Sequence, residues 1–479
     1  MDFYLEVEFK CGIIKKIVYM ECFMKKLIVC ILIFIMLLTG CRSNEPLSAK
    51  NPVTINLWHN YGGLLKDTMD VLIDEFNDTV GREKGIIINV TSLTGSATIA
   101  EKLKMAVNDE PGAPELPDIT TLYPNTAYML AEKGLLVDIE SLFTKEELSL
   151  FIPEFIEEGR LPDGKIYVLP TGKSTEVMFL NTTIFNKFMK ETNVSYNDLY
   201  TFEGLIDIAE KYYKWTDNQT PDIDNDGKAF ICYDSVFNMA QTIYKQSGDE
   251  LIADGSLNLS SDAFKDVWKY CFEPAVKGYS AIYDGYGSDL IKTSRVVASI
   301  GSTAGVLFYS DIVTYEDNIT EPAEFLILPY PVVDGGKKVA IQRGGGMCII
   351  KSNEAKEYAA GIFLKWFTAP EQNLKFVSST GYVPVTQMAV EMTVVNGDDI
   401  DDKIMKLQKT TKEMAEQYTF FYPPVIENFD ELQENYDNNI KNYAIQCKND
   451  YFNLLSNMND TDAFNTATEN KYEKFTGQR

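Results

Sequence analysis

An α/β fold is predicted by three observations: strands and helices alternate from residue 53 onward, the strands end in polar, glycine-rich loops, and the helices carry an apolar stripe. Val53-Thr54-Ile55-Asn56-Leu57-Trp58 alternates as a strand, and His59-Asn60-Tyr61-Gly62-Gly63 reads as the loop leaving its C-terminal end. Leu65, Met69, Leu72, Ile73 and Phe76 share one helix face. Ile86-Ile87-Ile88-Asn89-Val90 is a second strand, followed by polar Thr94-Gly95-Ser96. Ala97 to Val107 is helical, and Asp118 to Leu122 is a short third strand. This repetition predicts a parallel, doubly wound sheet, whose ligands bind in the crevice at the C-terminal strand ends. That rule gathers His59, Tyr61, Thr94, Ser96, Tyr123, Asn125 and Thr126 around one crevice.

Beyond residue 174 the pattern reads as mainly helical, with breaks at 221–227, 248–255 and 285–287. Leu326 to Pro331 is an extended stretch ended by proline, and Gly344-Gly345-Gly346 precedes an apolar strand, Met347 to Ile350. Ala355 to Thr368 and Lys403 to Tyr418 are helical. No internal repeat or low-complexity segment stands out.

The chain's 479 residues exceed what one core usually supports, so two lobes or domains are expected. At 45% hydrophobic it has ample material for a core. Seventy acidic residues against 44 basic ones, a net −26, repel phosphate backbones and argue against a nucleic-acid partner. The single histidine rules out a His-based metal cage and leaves little for Ser-His-Asp chemistry. No pair among the eight cysteines forms a C-x-x-C, which excludes a zinc ribbon or thioredoxin-type motif.

Residues 24–41 combine Lys25-Lys26, an apolar run from Leu27 to Leu38, and Thr39-Gly40-Cys41. A basic head, an apolar stretch and small residues before a cut form a secretory signal, here too short to span a bilayer comfortably. Leu38 to Cys41 resembles the lipobox of bacterial lipoproteins, which implies a lipidated Cys41 as the mature N-terminus. Residues 1–40 are thus expected to be a leader, with the true start at Met24, and 41–52 a lipid-anchored tether on the extracellular or periplasmic side of the cell membrane. The four cysteines beyond Cys41 have spacings that fix no pairing.

Asp163 to Pro170, followed by Val177-Met178-Phe179-Leu180-Asn181, resembles the crossover region of extracellular solute-binding proteins of ABC importers. The similarity is to the carbohydrate group that includes maltose-binding and glycerol-phosphate-binding proteins. Further segments that fit are Pro117-Asp118-Ile119 with Ala131 to Leu136, Gly344 to Ile349, Ala359 to Trp366, and Gly381-Tyr382-Val383-Pro384-Val385. The resemblance implies a periplasmic-binding-protein-like fold: two discontinuous α/β lobes, joined by crossover strands around a ligand-trapping cleft. It places the crossings near Lys173–Glu176, Gln342–Gly345 and Tyr382–Val385. The first lobe is then 53–173 plus 345–383, and the second 174–344 plus 384–479. No catalytic residue or required cofactor is implied. The partners implied are a small sugar-like ligand and permease subunits, met by a monomer.

A sugar site needs aromatic faces and planar polar groups. Tyr61, Tyr123, Tyr309 and Tyr382 fall at loop or crossover positions and are candidates beside the alternative of core packing. Arg343 can fork onto hydroxyls, carboxylate or phosphate, or form an interlobe salt bridge. Gly344 and Gly345 let backbone approach a ligand. Glu176 can accept hydroxyl protons or pair with Lys173. Ser302-Thr303 resembles a substrate-contacting loop. Asp222, Asp224 and Asp226 occupy positions 1, 3 and 5 of a calcium-type loop, but Tyr233 replaces the closing Glu. The loop reads as a weak calcium site or a plain turn.

The leading functional expectation is capture of a sugar or oligosaccharide by hinge closure, with delivery to a permease. A glycerol-phosphate-type ligand is the alternative by the same mechanism. A secreted glycoside hydrolase, which needs two opposed carboxylates, is the enzymatic rival.

Overall fold

The computed structural model describes residues 46–93, 95–378, 380–393 and 401–477, together with Met20. The expected leader, Cys41 and Thr94 lie outside the described residues, apart from Met20. In chain order the strands of two sheets are β1 (Val53–His59), β2 (Ile86–Ser92), β3 (Ile119–Leu122), β4 (Leu169–Pro170), β5 (Ser174–Asn181), β6 (Ile231–Tyr233), β7 (Ser280–Ala281), β8 (Ala298–Ser302), β9 (Phe325–Leu328), β10 (Val339–Arg343), β11 (Gly346–Ile349) and β12 (Thr419–Phe421). The first sheet has five strands in the order β2-β1-β3-β11-β4. The second has seven, in the order β12-β10-β5-β8-β6-β7, with β9 also paired to β5. Each sheet is covered by helices, so the chain folds as two α/β lobes.

The first sheet is mixed rather than parallel. β2 and β3 run parallel to β1, but β11 is antiparallel to β3 and to β4. The reason is topological: β11 arrives from the second lobe at the edge where β3 ends, so it must run the other way. Ile55 and Leu57 of β1 are fully buried, and Met69, Leu72, Ile73 and Phe76 pack inward from the helix Leu64–Phe76.

The second lobe is richer in strands than its sequence suggests. All eight residues of β5 are buried, so the strand lacks the alternation by which strands are recognised. The helix Phe429–Leu454 buries Tyr436, Ile440, Ala444, Cys447 and Tyr451, a stripe of helical period, against this lobe. Cys232, Cys271, Cys348 and Cys447 are free, buried thiols.

The lobes meet where three chain segments lie side by side. Arg343 and Gln342 of β10 pair with Ser174 and Thr175 of β5. Lys173 exchanges backbone hydrogen bonds with Val383 on its other side. Gly344 turns β10 toward β11 with a φ of 91°, and a Cβ there would stand 2.6 Å from the Gly172 carbonyl oxygen. Glycine is required on both counts. Next to it, the buried Lys173 ammonium pairs with Glu158 at 2.6 Å and donates to the Gly344 carbonyl. Gln342 donates to the same Glu158 carboxylate. Burial draws the Lys173 pKa down against the opposing pull of Glu158.

Gly344→Ala is expected to lower the unfolding free energy by about 2–4 kcal/mol, from positive-φ strain plus the backbone clash. Gly112 has a φ of 84° with open space around it, so Gly112→Ala should cost only about 1 kcal/mol. Denaturant unfolding of both variants separates strain from close approach; equal losses contradict the packing account.

Candidate functional site

β1 and β3 both end at the crevice edge of the first sheet, and the helix Ser96–Val107 that follows β2 begins there. Their termini border a small, partly open hollow. Tyr61, Ser96, Tyr123, Thr126, Gly345 and Tyr382 line it, all residues at strand ends, helix starts or crossings. The phenol of Tyr61 packs edge-on to Phe376, with centroids 5.1 Å apart, while Tyr382 stacks on Phe376 at 5.9 Å. Phe376 thus fixes two aromatic walls of the hollow. Burial pushes the Tyr61 hydroxyl up to about 12 and also raises that of Tyr382, so both are neutral hydrogen-bonding groups. The second lobe closes over this region: Gly381, with a φ of 72°, lies so near the turn Thr303–Phe308 that a Cβ would be 2.6 Å from the Thr303 carbonyl oxygen.

Asn60, Thr121 and Gly172 also line the hollow and were absent from the expected set. The Thr121 hydroxyl donates to Asn60 Oδ1 at 3.0 Å and accepts the Asn60 N–H at 3.2 Å. The strand-end rule pointed to them, since Asn60 follows β1 and Thr121 is the penultimate residue of β3.

A charged group lies within electrostatic reach of the hollow-lining Tyr123 and Tyr382. Arg343 Nη1 lies 2.9 Å from Glu176 Oε1, and the Asn238 amide donates to the same oxygen at 2.7 Å. Burial opposes the Arg343 charge, but Glu176 together with Tyr123, Asp234 and Tyr382 outweighs it and raises the pKa. Asp234, another residue not anticipated, follows β6 and accepts the Gly287 N–H at 2.8 Å. Burial and then the Glu176 charge push its carboxyl up to about 6, while the Gly287 N–H and Arg343 pull it down. Gly301 makes room for it, since a Cβ there would lie 2.3 Å from Asp234 Oδ2. Asp234 was missed because its strand, only three residues long, was not recognised.

Several expected positions are corrected. His59 is fully buried; its Nδ1 accepts the Tyr61 N–H at 3.2 Å, so it shapes the loop from beneath. Tyr309 is core: its ring stacks on Phe179 at 4.0 Å and its hydroxyl bonds Ser299 at 2.8 Å. Thr303 is buried and its hydroxyl accepts the Thr175 N–H at 3.4 Å. Ser302 is half-buried, donating to the Ser174 hydroxyl at 3.3 Å. Asn125 accepts the Ile426 N–H at 2.9 Å. Glu176 pairs with Arg343 rather than Lys173, whose partner is Glu158. Gly344 and Gly345 face the carbonyls of Gly172 and Leu122, so they serve chain packing at the crossing first. Asp222 and Asp224 are exposed, and Asp226 accepts from Thr220 at 2.7 Å within a turn. Among the described residues no cluster of three or more His, Cys, Asp or Glu side chains could hold a metal ion.

The chain matches the family model described as bacterial extracellular solute-binding protein over residues 72–405. It is 24% identical over 247 residues to the arabinooligosaccharide-binding protein of Bacillus subtilis (strain 168), covering 50% of this chain and 53% of that one. The chain thus spans about half the length of the curated relative it matches. Among solved structures it is similar to an ABC substrate-binding protein of Listeria monocytogenes in complex with cycloalternan, with a TM-score of 0.64, 16% identity and coverage of 89% and 100%. The cyclic alpha-maltosyl-1,6-maltose binding protein of Arthrobacter globiformis gives 0.59, 18%, 90% and 100%. UgpB of Mycobacterium tuberculosis in complex with glycerophosphocholine gives 0.63, 15%, 90% and 100%. At these identities the structural likeness establishes the fold. The chain belongs to the bacterial extracellular solute-binding protein family.

Two outcomes test this geometry. Burial depresses the His59 pKa to about 4, from 6.5 in the unfolded chain. The stability this contributes is full above pH 6.5 and is lost as pH falls toward 4, by about 3 kcal/mol in all. As the chain has one histidine, a single imidazole NMR signal reports it, and a midpoint near 6.5 contradicts the buried placement. Separately, Arg343→Ala strands a buried carboxylate and should cost about 3 kcal/mol in denaturant unfolding. Adding Glu176→Gln should recover much of that loss; strictly additive losses argue against the pair.

Proposed function

We propose that this member of the extracellular solute-binding family captures a neutral sugar or oligosaccharide between its lobes and delivers it to the permease of an ABC importer. The observation that carries the reading is the hollow itself: neutral tyrosines at its walls, with the hydroxyls and amide of Ser96, Thr121, Thr126 and Asn60 between them. Aromatic faces suit the C–H faces of a sugar ring, and planar or hydroxylic groups suit its hydroxyls. The relative named for arabinooligosaccharide binding supports the same ligand class.

Charge favours a neutral ligand over a glycerol phosphate. Arg343 is already matched by Glu176, and Asp234 adds a carboxyl within its electrostatic reach, so an entering phosphate would meet acids rather than a free cation. The likeness to a glycerophosphocholine complex makes that ligand class the second reading. For hydrolysis, two carboxyls must flank the scissile bond, whereas Glu176 and Asp234 both come from the second lobe and Glu176 is ion-paired with Arg343. Capture without bond cleavage fits better. We further propose that Cys41 carries a lipid, holding the protein at the outer face of the cell membrane; among the described residues no helix is long and apolar enough to cross one.

Thermal unfolding in the presence of arabino- and malto-oligosaccharides, monosaccharides and glycerol phosphates tests the reading. A neutral oligosaccharide should raise the Tm saturably, by about 3 kcal/mol of stabilisation at one hundred times Kd, with no reducing sugar released. Tyr382→Ala should weaken that binding about tenfold. Stabilisation by glycerol phosphates alone, or release of reducing sugar, overturns the proposal.

A further inference from the structure

Residues 422–427 join the lobes without crossing between them. They leave β12, which lies parallel to β10 with Phe421 opposite Ile341, and continue in the direction in which β10 crosses to the first lobe. Val425 packs against the first lobe's apolar core, the cluster that holds Trp58, Leu122 and Leu130. The next residue, Ile426, packs against the core of the second lobe. Neighbouring, partly buried side chains are thus packed against different lobes. The Ile426 N–H donates to Asn125 Oδ1 at 2.9 Å, and Asn125 is the second residue of the helix Pro124–Glu132, directly after β3. The chain then returns to the second lobe through the helix Phe429–Leu454.

We infer that 422–427 is a strap, a fourth and non-covalent tie between the lobes that sets their angle before ligand arrives. Asn125, which lies between the hollow-lining Tyr123 and Thr126, is its anchor on the first lobe and acts as a positioning residue. Pro423-Pro424 suits such a strap, because fixed φ angles make the segment stiff and leave little conformational entropy to lose on docking. Opening the lobes must part Val425 from one core or Ile426 from the other, and it breaks the Asn125 hydrogen bond. The strap therefore favours the lobe arrangement of this structure, in which the hollow is formed, and raises apparent ligand affinity by pre-organisation. This consequence rests on the ligand-capture reading; the strap itself does not.

The test begins without ligand. Nitroxide labels at Glu83→Cys and Lys190→Cys, exposed positions in the first and second lobes, report the interlobe distance by electron–electron double resonance, while Cys232, Cys271, Cys348 and Cys447 stay buried. Asn125→Ala and Val425→Ser should broaden the distribution toward longer distances, whereas Asn125→Asp, which keeps the acceptor oxygen, should preserve it. In the unlabelled, unsubstituted chain the Ile426 amide should be protected from hydrogen exchange, and Asn125→Ala should speed its exchange about two- to tenfold. Unchanged distances in both disrupting variants, equal effects of Ala and Asp, or an unprotected Ile426 amide overturns the inference. A failed sugar screen with altered distances would refute the ligand reading and leave the strap standing.

Discussion

A lysine removed from water sits where the lobes join, and the rest of the molecule is arranged around it. Lys173 is buried between the first lobe, which supplies Glu158, and the crossing at Gly344, whose carbonyl accepts one of its protons. A buried ammonium is tolerated only when its charge and its donors are met. Glu158 and the Gly344 carbonyl meet those demands, and Gln342 donates in turn to the Glu158 carboxylate; these groups come from segments far apart in sequence, which ties the crossings into one register. Gly344 must be glycine for them to come so close.

From that junction the polar groups sort into two sets. On the first lobe, phenols and hydroxyls line the hollow. On the second, Arg343, Glu176 and Asn238 form one hydrogen-bonded network, with the Asp234 carboxyl within electrostatic reach. Such a pairing holds the guanidinium and carboxylate in fixed positions, which suits directional hydrogen bonding to an uncharged ligand more than attraction of an ion. The protein's overall acidity is then a surface property, separate from what its cleft selects.

The first sheet was legible because its strands alternate or sit between clear turn signals, and its helices carry one apolar stripe each. The second sheet was legible only in part: the extended stretch from Leu326 matches β9, and the resemblance placed crossings at the start of β5 and the end of β10. β5 is buried on both faces, and β6 is only three residues long, so neither carries the pattern that distinguishes a strand. The candidate site divides the same way. Tyr61, Ser96, Tyr123 and Thr126 were reachable from the rule that ligands bind at strand ends, whereas Asp234 was hidden with its unrecognised strand. Tyr309 illustrates the opposite error: its neighbours in sequence are loop-like, but Phe179 from β5 claims its ring.

By itself, the sequence determined the α/β class, the two-lobe scale of the chain, the strand ends that carry the hollow, and a family resemblance spread over most of its length. These follow from periodicity, composition and short-range order, all local properties. Tertiary structure alone decided the partners: Glu158 for Lys173, Glu176 for Arg343, Ile426 for Asn125, and the core for His59. Each pairing joins residues brought together by the crossings, and no local pattern encodes which distant group will satisfy a buried charge or donor.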